Sequence, residues 1–515
     1  MDTILILDFG SQTTQLISRR IREIGVYSEV LPGDADFSNG FEENIKGLIL
    51  SGSPWGVYEE GSPLLDQAVI DAGIPVLGIC YGFHLLVNFC GGKVHAREKK
   101  EFGRSPVQFV SPSALFDGVE DGFTSWMSHG DSIGELPQTF SLVAQSENFV
   151  AAAKHNQKDI YGIQFHPEVT HCEYGNRILE NFAVRICGSR AEWSIAGFIE
   201  QESEALRKAA EGRDVLSLVS GGVDSTVVGA LLLKALDPEK VHLMYIDTGL
   251  MRKNETDEVR KSLLSLGAEN LYIIDAGEEF FSELAGVSDP EEKRRIIGDL
   301  FISIQEKEIS SRNIKDALLA QGTLYTDMIE SGKGVGKKAR VIKSHHNVRS
   351  PLVEEKRESG DLLEPLARLY KDEVRELGIL LGVQKNIVAR HPFPGPGLAV
   401  RILGEVTREK CEILQEADAI FIDELKSRRL YDEIWQAFCV LLPVRSVGVT
   451  GDSRNYGYVV ALRAIISRDG MTADVYPFEM RDLLEISSKI TNQVSQVGRV
   501  VYDVSSKPPG TIEWE

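Results

Sequence analysis

The first part of the chain alternates short apolar runs with stretches in which apolar residues recur at helical spacing. The helical spacing is clearest over residues 12–24, whose apolar side chains share one face. Six segments have the short apolar pattern of strands: residues 4–7, 47–50, 74–79, 107–110, 142–144 and 161–165. This alternation predicts a doubly wound α/β domain over residues 1–190.

The same rhythm starts again after a predicted linker helix at residues 193–210. The continuous apolar run at residues 214–219 is typical of a strand buried on both faces of a parallel sheet. A helix at residues 226–236 and a strand at residues 241–246 complete the first βαβ unit. Residues 191–390 are therefore predicted to form a central α/β domain with a parallel sheet.

A third boundary is predicted at residues 391–397, which contain three prolines and two glycines. Beyond it, strand and helix patterns are mixed. Strands are predicted at residues 400–403, 446–449 and 458–465, and helices at residues 408–425 and 478–490. Residues 391–515 are thus expected to form a small α+β domain.

Composition narrows the class of protein. The 515 residues are 43% apolar and 26% charged, as in soluble globular proteins, and no apolar run is long enough to span a bilayer. A formal charge of −21 disfavours binding to nucleic-acid phosphates, and scattered cysteines favour a reducing compartment. We expect a cytoplasmic protein without nucleic-acid or membrane partners, whose one basic stretch, residues 333–349, is either a solvated loop or an anion-binding segment.

Cys80 stands where the apolar run at residues 74–79 ends and a helix pattern begins, with glycines on both sides. A sharp strand-to-helix turn exposes the side chain, and the positive end of a helix favours the thiolate form of a cysteine. A cysteine after an apolar strand is also a common buried residue. The position suits a nucleophile without establishing one.

His166 and Glu168 end the last predicted strand of the same domain. A cysteine nucleophile needs a base that takes up its proton, and the base needs an orienting partner. Cys80, His166 and Glu168 supply these three groups, and we expect them to form a catalytic triad.

The ordered motifs around Ser51, Cys80 and His166 resemble the class I glutamine amidotransferases over residues 1–190. The resemblance implies that Cys80 attacks the side-chain amide of glutamine and that ammonia is released. It also implies oxyanion and glutamine contacts at Gly52, Ser53, Tyr81, His84, Ser128, His129, Gly130 and Asp131. The family usually has a second glycine in place of Ser53 and a glutamine in place of His84.

A glycine-rich turn follows the strand at residues 214–219 and opens a helix. Its residues are Ser220, Gly221, Gly222, Val223, Asp224, Ser225 and Thr226. Small residues at a helix N-terminus let backbone N–H groups surround a phosphate. This turn resembles the loop of the ATP pyrophosphatases, which implies cleavage of ATP to AMP and pyrophosphate with Mg²⁺. Asp224 is the expected Mg²⁺ ligand, and Asp247 ends the next strand beside the expected ATP site.

Five further motifs resemble the GMP synthetase family and extend the resemblance over nearly the entire chain: residues 321–327, 342–348, 391–397, 442–448 and 507–513. The resemblance implies that XMP is adenylated and then aminated to GMP, with Lys343 at ATP. It also implies a homodimer formed through the third domain. The implied XMP contacts are Arg294, Gln436, Lys507, Ile512 and Glu513, with Arg499 reaching XMP from a neighbouring subunit.

Three alternatives stay open from the residues alone. A ligase that makes NAD or asparagine would share the phosphate loop, although the third domain argues against it. A tRNA-modifying enzyme would need a basic face and usually a cysteine near the loop, but none lies between Cys187 and Cys411. Ser53 and His84 alone suggest a catalytically silent nucleotide sensor.

Overall fold

The structure, a computed structural model, describes residues 1–38, 40–147, 149–330, 351–450, 453–467 and 472–515. These residues divide into two compact units. One is formed by Met1–Phe198 together with the described residues 326–330, and the other by Ile199–Tyr325 together with the described part of His345–Glu515.

The first unit is built around one large mixed sheet. Its described strands are β1 (Thr3–Asp8), β2 (Tyr27–Pro32), β3 (Ile45–Leu50), β4 (Val76–Ile79), β5 (Lys93–Phe109), β6 (Phe123–Glu135), β7 (Phe140–Ser146), β8 (Phe149–His155) and β9 (Ile160–Ile163). They lie in the order β2-β1-β3-β4-β9-β8-β7-β5-β6. The neighbours from β2 to β9 are parallel, whereas the pairs from β9 to β6 are antiparallel.

Helices of the first unit follow the strands as the alternating pattern predicted. They are α1 (Thr14–Glu23), α2 (Gln67–Asp71), α3 (Tyr81–Phe89) and α4 (Gly175–Glu180). The core lies against the parallel strands and includes Leu5, Leu48 and Phe83, which are almost fully buried. The predicted doubly wound architecture is confirmed, and its carboxyl edge carries the end of β4.

The second unit begins with a parallel sheet whose described strands lie in the order β12-β11-β10-β13-β14. The strands are β10 (Val215–Leu218), β11 (Val241–Asp247), β12 (Asn270–Asp275), β13 (Leu318–Ala320) and β14 (Leu362–Leu363). The described helices along residues 195–388 are α5 (Ile195–Ala210), α6 (Val223–Ala235), α7 (Glu255–Ser265), α8 (Gly277–Glu283), α9 (Pro290–Ser311), α10 (Tyr325–Glu330), α11 (Pro351–Glu358), α12 (Lys371–Leu380) and α13 (Lys385–Val388). Of these, residues 195–198 of α5 and residues 326–330 of α10 belong to the first unit. This confirms the predicted central α/β region.

A smaller sheet follows, in which β15 (Gln436–Thr450) pairs with β16 (Ser453–Ile466). Strands β17 (Asp474–Val475) and β18 (Val497–Tyr502) both pair with β16. Helices α14 (Arg408–Ser427) and α15 (Met480–Gln493) contribute Phe421 and Ile490 to its core. The predicted small α+β part is confirmed, whereas its exact boundary at residue 390 stays a prediction.

The strand predicted at residues 400–403 is wrong. Gly397–Arg401 form a 3₁₀ turn, and Ile402 makes only an isolated bridge to Leu441. Val400 and Ile402 are fully buried, so the run is apolar because the turn is enclosed by other residues. An apolar run this short does not distinguish a buried turn from a buried strand.

Candidate active sites

Cys80 occupies the junction between β4 and α3. Its φ angle is 53° and its ψ angle is −105°, a positive-φ conformation that residues other than glycine seldom adopt. The amide of Cys80 donates to the Ile163 carbonyl at 2.8 Å, which fixes the turn to the end of β9. Backbone strain at a sharp strand-to-helix turn is typical of a nucleophilic residue whose reactive atom is presented above the end of the sheet.

Two glycines allow this turn to pack closely against the sheet. A Cβ atom at Gly82 would overlap the backbone of Leu50, and one at Gly78 would lie 2.6 Å from the carbonyl carbon of Gly82. The Gly82 amide also donates to the Ser51 carbonyl at 3.0 Å. The turn therefore depends on the glycines that flank Cys80 in the sequence.

His166 and Glu168 lie just beyond β9, where His166 is within hydrogen-bonding reach of Cys80 and Glu168 contacts His166. The Nδ1–H of His166 donates to Oε1 of Glu168 at 2.7 Å, and the carboxylate is fully buried. Arg20 donates to the carbonyl oxygen of Glu168 at 3.1 Å and holds its backbone in place. With Nδ1 bonded to Glu168, the imidazole has its other nitrogen available for the sulfur.

The charge around His166 favours its protonated form. Burial alone would lower the pKa of the imidazole, but Glu168 and the hydrogen bonds with Cys80 and Glu168 outweigh burial and hold the pKa well above its ordinary value. A cationic imidazole beside the sulfur is the partner that a nucleophilic cysteine requires.

Gly52, Ser53 and Tyr81 lie near the predicted triad. A Cβ atom at Gly52 would stand 3.5 Å from Cε1 of His166, so this backbone passes directly beside the imidazole. Tyr81 is the first residue of α3, and its hydroxyl donates to the Pro63 carbonyl at 2.6 Å. The Ser53 hydroxyl accepts from the Trp55 amide at 3.3 Å.

The predicted glutamine contacts at residues 128–131 all belong to β6. Ser128 is exposed, whereas His129 is buried and donates from Nδ1 to the Asp131 carbonyl at 2.7 Å. The Tyr58 hydroxyl donates to Oδ1 of Asp131 at 2.8 Å. Gly130, between them, is half-buried.

His84 lies in the first turn of α3, where its ring is 3% exposed. Its Nε2 atom is 2.7 Å from Oε1 of Gln164, a residue for which the sequence analysis predicts no role. Gln164 in turn directs its amide nitrogen to the sulfur of Cys80 at 3.7 Å. In the sequence, the only sign that Gln164 lies near Cys80 is its position two residues before His166.

In the second unit, the glycine-rich turn joins β10 to α6. Gly221 has a φ angle of +81°, which favours glycine, and Gly222 precedes the first residue of α6. The hydroxyl groups of Ser220 and Ser225 lie 3.1 Å apart, and Thr226 donates to the Gly222 carbonyl at 2.8 Å. Hydrogen bonds within residues 220–226 therefore stabilise the turn at the N-terminus of α6, where backbone N–H groups can bind an anion.

Two basic side chains hold this turn, and both were missed from the sequence. Nζ of Lys371 donates to both carboxylate oxygens of Asp224, each at 2.6 Å. Arg390 donates to the Gly221 carbonyl at 3.1 Å. These residues lie 147 and 169 positions from their partners, so no local pattern could have connected them.

Asp247 ends β11, at the same edge of the parallel sheet as the glycine-rich turn. Its Oδ2 atom accepts from the Thr256 hydroxyl at 2.6 Å, and Oδ1 accepts from the Gly249 amide at 2.9 Å. Both oxygens therefore have partners within the chain. Lys343, with the rest of the basic stretch at residues 333–349, lies outside the described residues.

Several of the predicted XMP contacts cluster around the last residues of the chain. Gln436 donates to Oε1 of Glu513 at 2.8 Å, and Arg294 donates to the main-chain oxygen of Glu515 at 2.6 Å. Ile512 packs against the small apolar cluster that contains Phe438. Glu513 is also bound by the buried Arg401, a residue that the sequence did not single out.

Lys507 and Arg499 differ in their relation to this cluster. Lys507 forms an antiparallel bridge with Ala473, close to the end of β16 where Ile465 faces Gln436. Arg499 is exposed and faces Val459, six residues away along β16. Six residues of strand span about 20 Å, so Arg499 does not join the cluster within one chain.

Two family models match the chain. The glutamine amidotransferase class-I model matches residues 5–186, and the GMP synthase C terminal domain model matches residues 423–514. Three full-length relatives, each named GMP synthase (glutamine-hydrolyzing), are from Aquifex aeolicus, Bdellovibrio bacteriovorus and Saccharomyces cerevisiae. They are 49%, 50% and 48% identical to this chain, over 99%, 100% and 100% of its length and 99%, 100% and 98% of theirs.

Proposed function

The chain belongs to the glutamine-hydrolysing GMP synthases, and on that basis we propose which of its residues carry out each step of the reaction. As an enzyme of this family it makes GMP with glutamine as the nitrogen donor. The ligases that make NAD or asparagine, the tRNA-modifying enzymes and a silent sensor are thereby set aside.

Glutamine hydrolysis is assigned to Cys80, His166 and Glu168. The sulfur attacks the side-chain amide carbon, and His166 donates a proton to the departing nitrogen, so that ammonia leaves and a γ-glutamyl thioester forms. His166 then takes a proton from water, the resulting hydroxide attacks the thioester carbon, the C–S bond breaks, and glutamate leaves with the Cys80 thiolate restored beside the protonated His166. The observation that carries this assignment is the 2.7 Å hydrogen bond between His166 and the buried Glu168.

The oxyanion that forms during each attack needs hydrogen-bond donors at a fixed position. We assign this role to backbone N–H groups near Gly52, Ser53 and Tyr81, because Gly52 passes beside His166 and Tyr81 opens α3. Ser53 replaces the usual second glycine but keeps its backbone N–H. Ser128, His129, Gly130 and Asp131 are proposed to bind the rest of the glutamine.

ATP binding is assigned to residues 220–226, with Asp247 and Lys343 as further contacts. We add Lys371 to this site, because its ammonium group contacts Asp224 in the glycine-rich turn. Once ATP is bound, the same ammonium group would donate hydrogen bonds to phosphate oxygens. XMP would attack the α-phosphorus through its C2 oxygen, pyrophosphate would leave, and ammonia would then displace AMP to give GMP.

Mg²⁺ is proposed as the metal that accompanies ATP. It needs only one or two protein carboxylates when phosphates supply the remaining oxygens, and the partly exposed side chain of Asp224 meets that requirement. Bound there, Mg²⁺ would offset the charge that develops on pyrophosphate.

XMP binding is assigned to Arg294, Gln436, Lys507, Ile512 and Glu513. Arg499 is proposed to reach the XMP of a partner subunit in a homodimer. Exposed apolar side chains on β15 and β16, including Val444, Val447 and Tyr456, support association through this sheet.

Because all six cysteines are free, we place the enzyme in the cytoplasm. Among the described helices, none is long and apolar enough to cross a membrane.

The test of the proposed acceptor and leaving groups uses the purified chain with ATP, Mg²⁺ and ammonium. We expect XMP to be consumed with equal amounts of GMP, AMP and pyrophosphate as products. Aspartate and a carboxylate-bearing dinucleotide serve as competing acceptors and should not react. ADP and phosphate in place of AMP and pyrophosphate would reject the adenylate, and amination of either competitor would reject XMP as the acceptor.

A further inference from the structure

A continuous line of buried polar atoms connects His84 to the sulfur of Cys80. Nε2 of His84 is 2.7 Å from Oε1 of Gln164, and Nε2 of Gln164 is 3.7 Å from the sulfur. The latter distance is within the range of a hydrogen bond to sulfur. His84 and Gln164 are 3% and 1% exposed, so bulk water does not compete for these contacts.

The direction of this line follows from the contact between Nε2 of His84 and Oε1 of Gln164, because an amide oxygen can only accept and the ring nitrogen must therefore donate. Burial lowers the pKa of the His84 imidazole to about 4, so the ring is neutral at physiological pH. Among the described residues, His129 and Asp131 of β6 act electrostatically on the His84 imidazole. A ring N–H that donates to Oε1 of Gln164 leaves the amide NH₂ group as the end that faces the sulfur.

The direction matters because the two ends of an amide have opposite effects on a thiolate. An N–H donor stabilises the negative sulfur, whereas a carbonyl oxygen at the same distance would repel it. Gln164 alone could present either end. The hydrogen bond from His84 selects the favourable one.

We propose that His84 is a positioning residue, which acts through Gln164 to keep an N–H donor aimed at the Cys80 thiolate. This role replaces the direct glutamine contact that the sequence predicted for His84, because the ring is enclosed and bonded to Gln164. It rests on the proposed function, since it assigns both residues to glutamine hydrolysis. His166 transfers protons, whereas Gln164 supplies a donor that does not change with pH.

The first test measures the sulfur itself and needs no turnover. Cys80 is alkylated with iodoacetamide from pH 5 to pH 10, and its peptide is quantified by mass spectrometry. Burial raises the pKa of Cys172 and of Cys411 to about 12, so these thiols stay largely unreactive in this range. The midpoint of the Cys80 profile reports how well the thiolate is stabilised.

Four variants are compared with the wild type. We expect Gln164→Ala and His84→Phe to move the midpoint upward by about one pH unit, since each removes the oriented donor. His84→Gln retains an N–H group that can donate to Gln164, and should move the midpoint less than His84→Phe does. The matched control is His155→Phe, another buried histidine of the same unit, which should also leave the midpoint unchanged.

Steady-state glutamine hydrolysis separates positioning from substrate contact. A positioning role predicts that His84→Phe lowers kcat by about tenfold with KM for glutamine unchanged, in step with the lost thiolate. A higher KM at constant kcat would overturn the proposal in favour of a direct contact. Wild-type alkylation midpoints in both Gln164→Ala and His84→Phe would also overturn it. A shifted midpoint in a chain that hydrolyses no glutamine would support the positioning role and reject the proposed function.

Discussion

Nδ1 of His166 lies 2.7 Å from Oε1 of Glu168, and this pair is enclosed at the end of β9. The buried carboxylate keeps the imidazole protonated at a pH where an isolated histidine would be neutral. The same contact fixes which ring nitrogen faces Cys80. It therefore determines both the charge and the orientation of the proposed general acid and base.

Replacing Glu168 with glutamine tests this electrostatic role, because the size is kept and the charge is lost. A group whose pKa is raised on folding contributes stability that is complete below its unfolded pKa and is lost as pH rises through its folded pKa. Glu168→Gln should therefore cost about 1.5–3 kcal/mol below pH ~6.5, where unfolded histidine titrates, and progressively less at higher pH. Melting temperatures from pH 6 to pH 9 measure the difference, and a deficit that grows with pH would contradict this origin.

Gly82→Ala tests the close approach beneath the Cys80 turn. The added Cβ would overlap the Leu50 backbone, which cannot move without disturbing β3. We expect a loss of about 1–3 kcal/mol in the stability of the first unit and little glutamine hydrolysis. The control is Gly298→Ala in α9, where an added Cβ meets open space. Equal melting temperatures for Gly82→Ala and Gly298→Ala would show that the backbones of Gly82 and Leu50 have room for an added Cβ.

The ion pair of Lys371 with Asp224 can be tested against a second Lys–Asp pair of the same parallel sheet. Lys240 pairs with Asp214 at 3.1 Å, but these residues lie where β11 and β10 begin. Lys371→Ala should raise KM for ATP by about tenfold, because one charged contact to phosphate is lost. Lys240→Ala should leave KM for ATP unchanged. An equal KM for ATP in Lys371→Ala and Lys240→Ala would contradict the proposed contact between Lys371 and ATP.

Glu513 compensates the charge of Arg401, whose side chain is 1% exposed. Glu513→Ala leaves that guanidinium without its carboxylate, and we expect a loss of about 3–5 kcal/mol together with weaker XMP binding. Thermal denaturation and XMP titration measure the two effects. Glu416→Ala is the control, because its pair with Lys253 is exposed and contributes about 1 kcal/mol or less. A stability loss no larger than the control's would contradict the role given to Glu513.

The residues near Cys80 were predictable to the extent that local sequence sets their geometry. A strand followed by Cys80 between two glycines specifies the turn, and His166 and Glu168 are only two positions apart. The role proposed for His84 could not be predicted in this way. Its partner Gln164 is 80 residues distant and becomes its neighbour only because β4 pairs with β9.

The second unit shows the same limit more strongly. The glycine-rich turn was recognisable, but Lys371 and Arg390 reach it from distant parts of the chain. The strand wrongly predicted at residues 400–403 failed for a related reason. Full burial makes a turn as apolar as a strand, and only the tertiary structure distinguishes the two.

The most direct test of the account compares nitrogen donors in the wild type and Cys80→Ala. Both proteins receive XMP, ATP and Mg²⁺ with either amide-¹⁵N glutamine or ammonium, and GMP formation is followed by mass spectrometry. The wild type should make GMP from both donors and carry ¹⁵N from glutamine, whereas Cys80→Ala should make GMP from ammonium alone. Equal use of glutamine by the two proteins would contradict the assignment of Cys80 as the nucleophile.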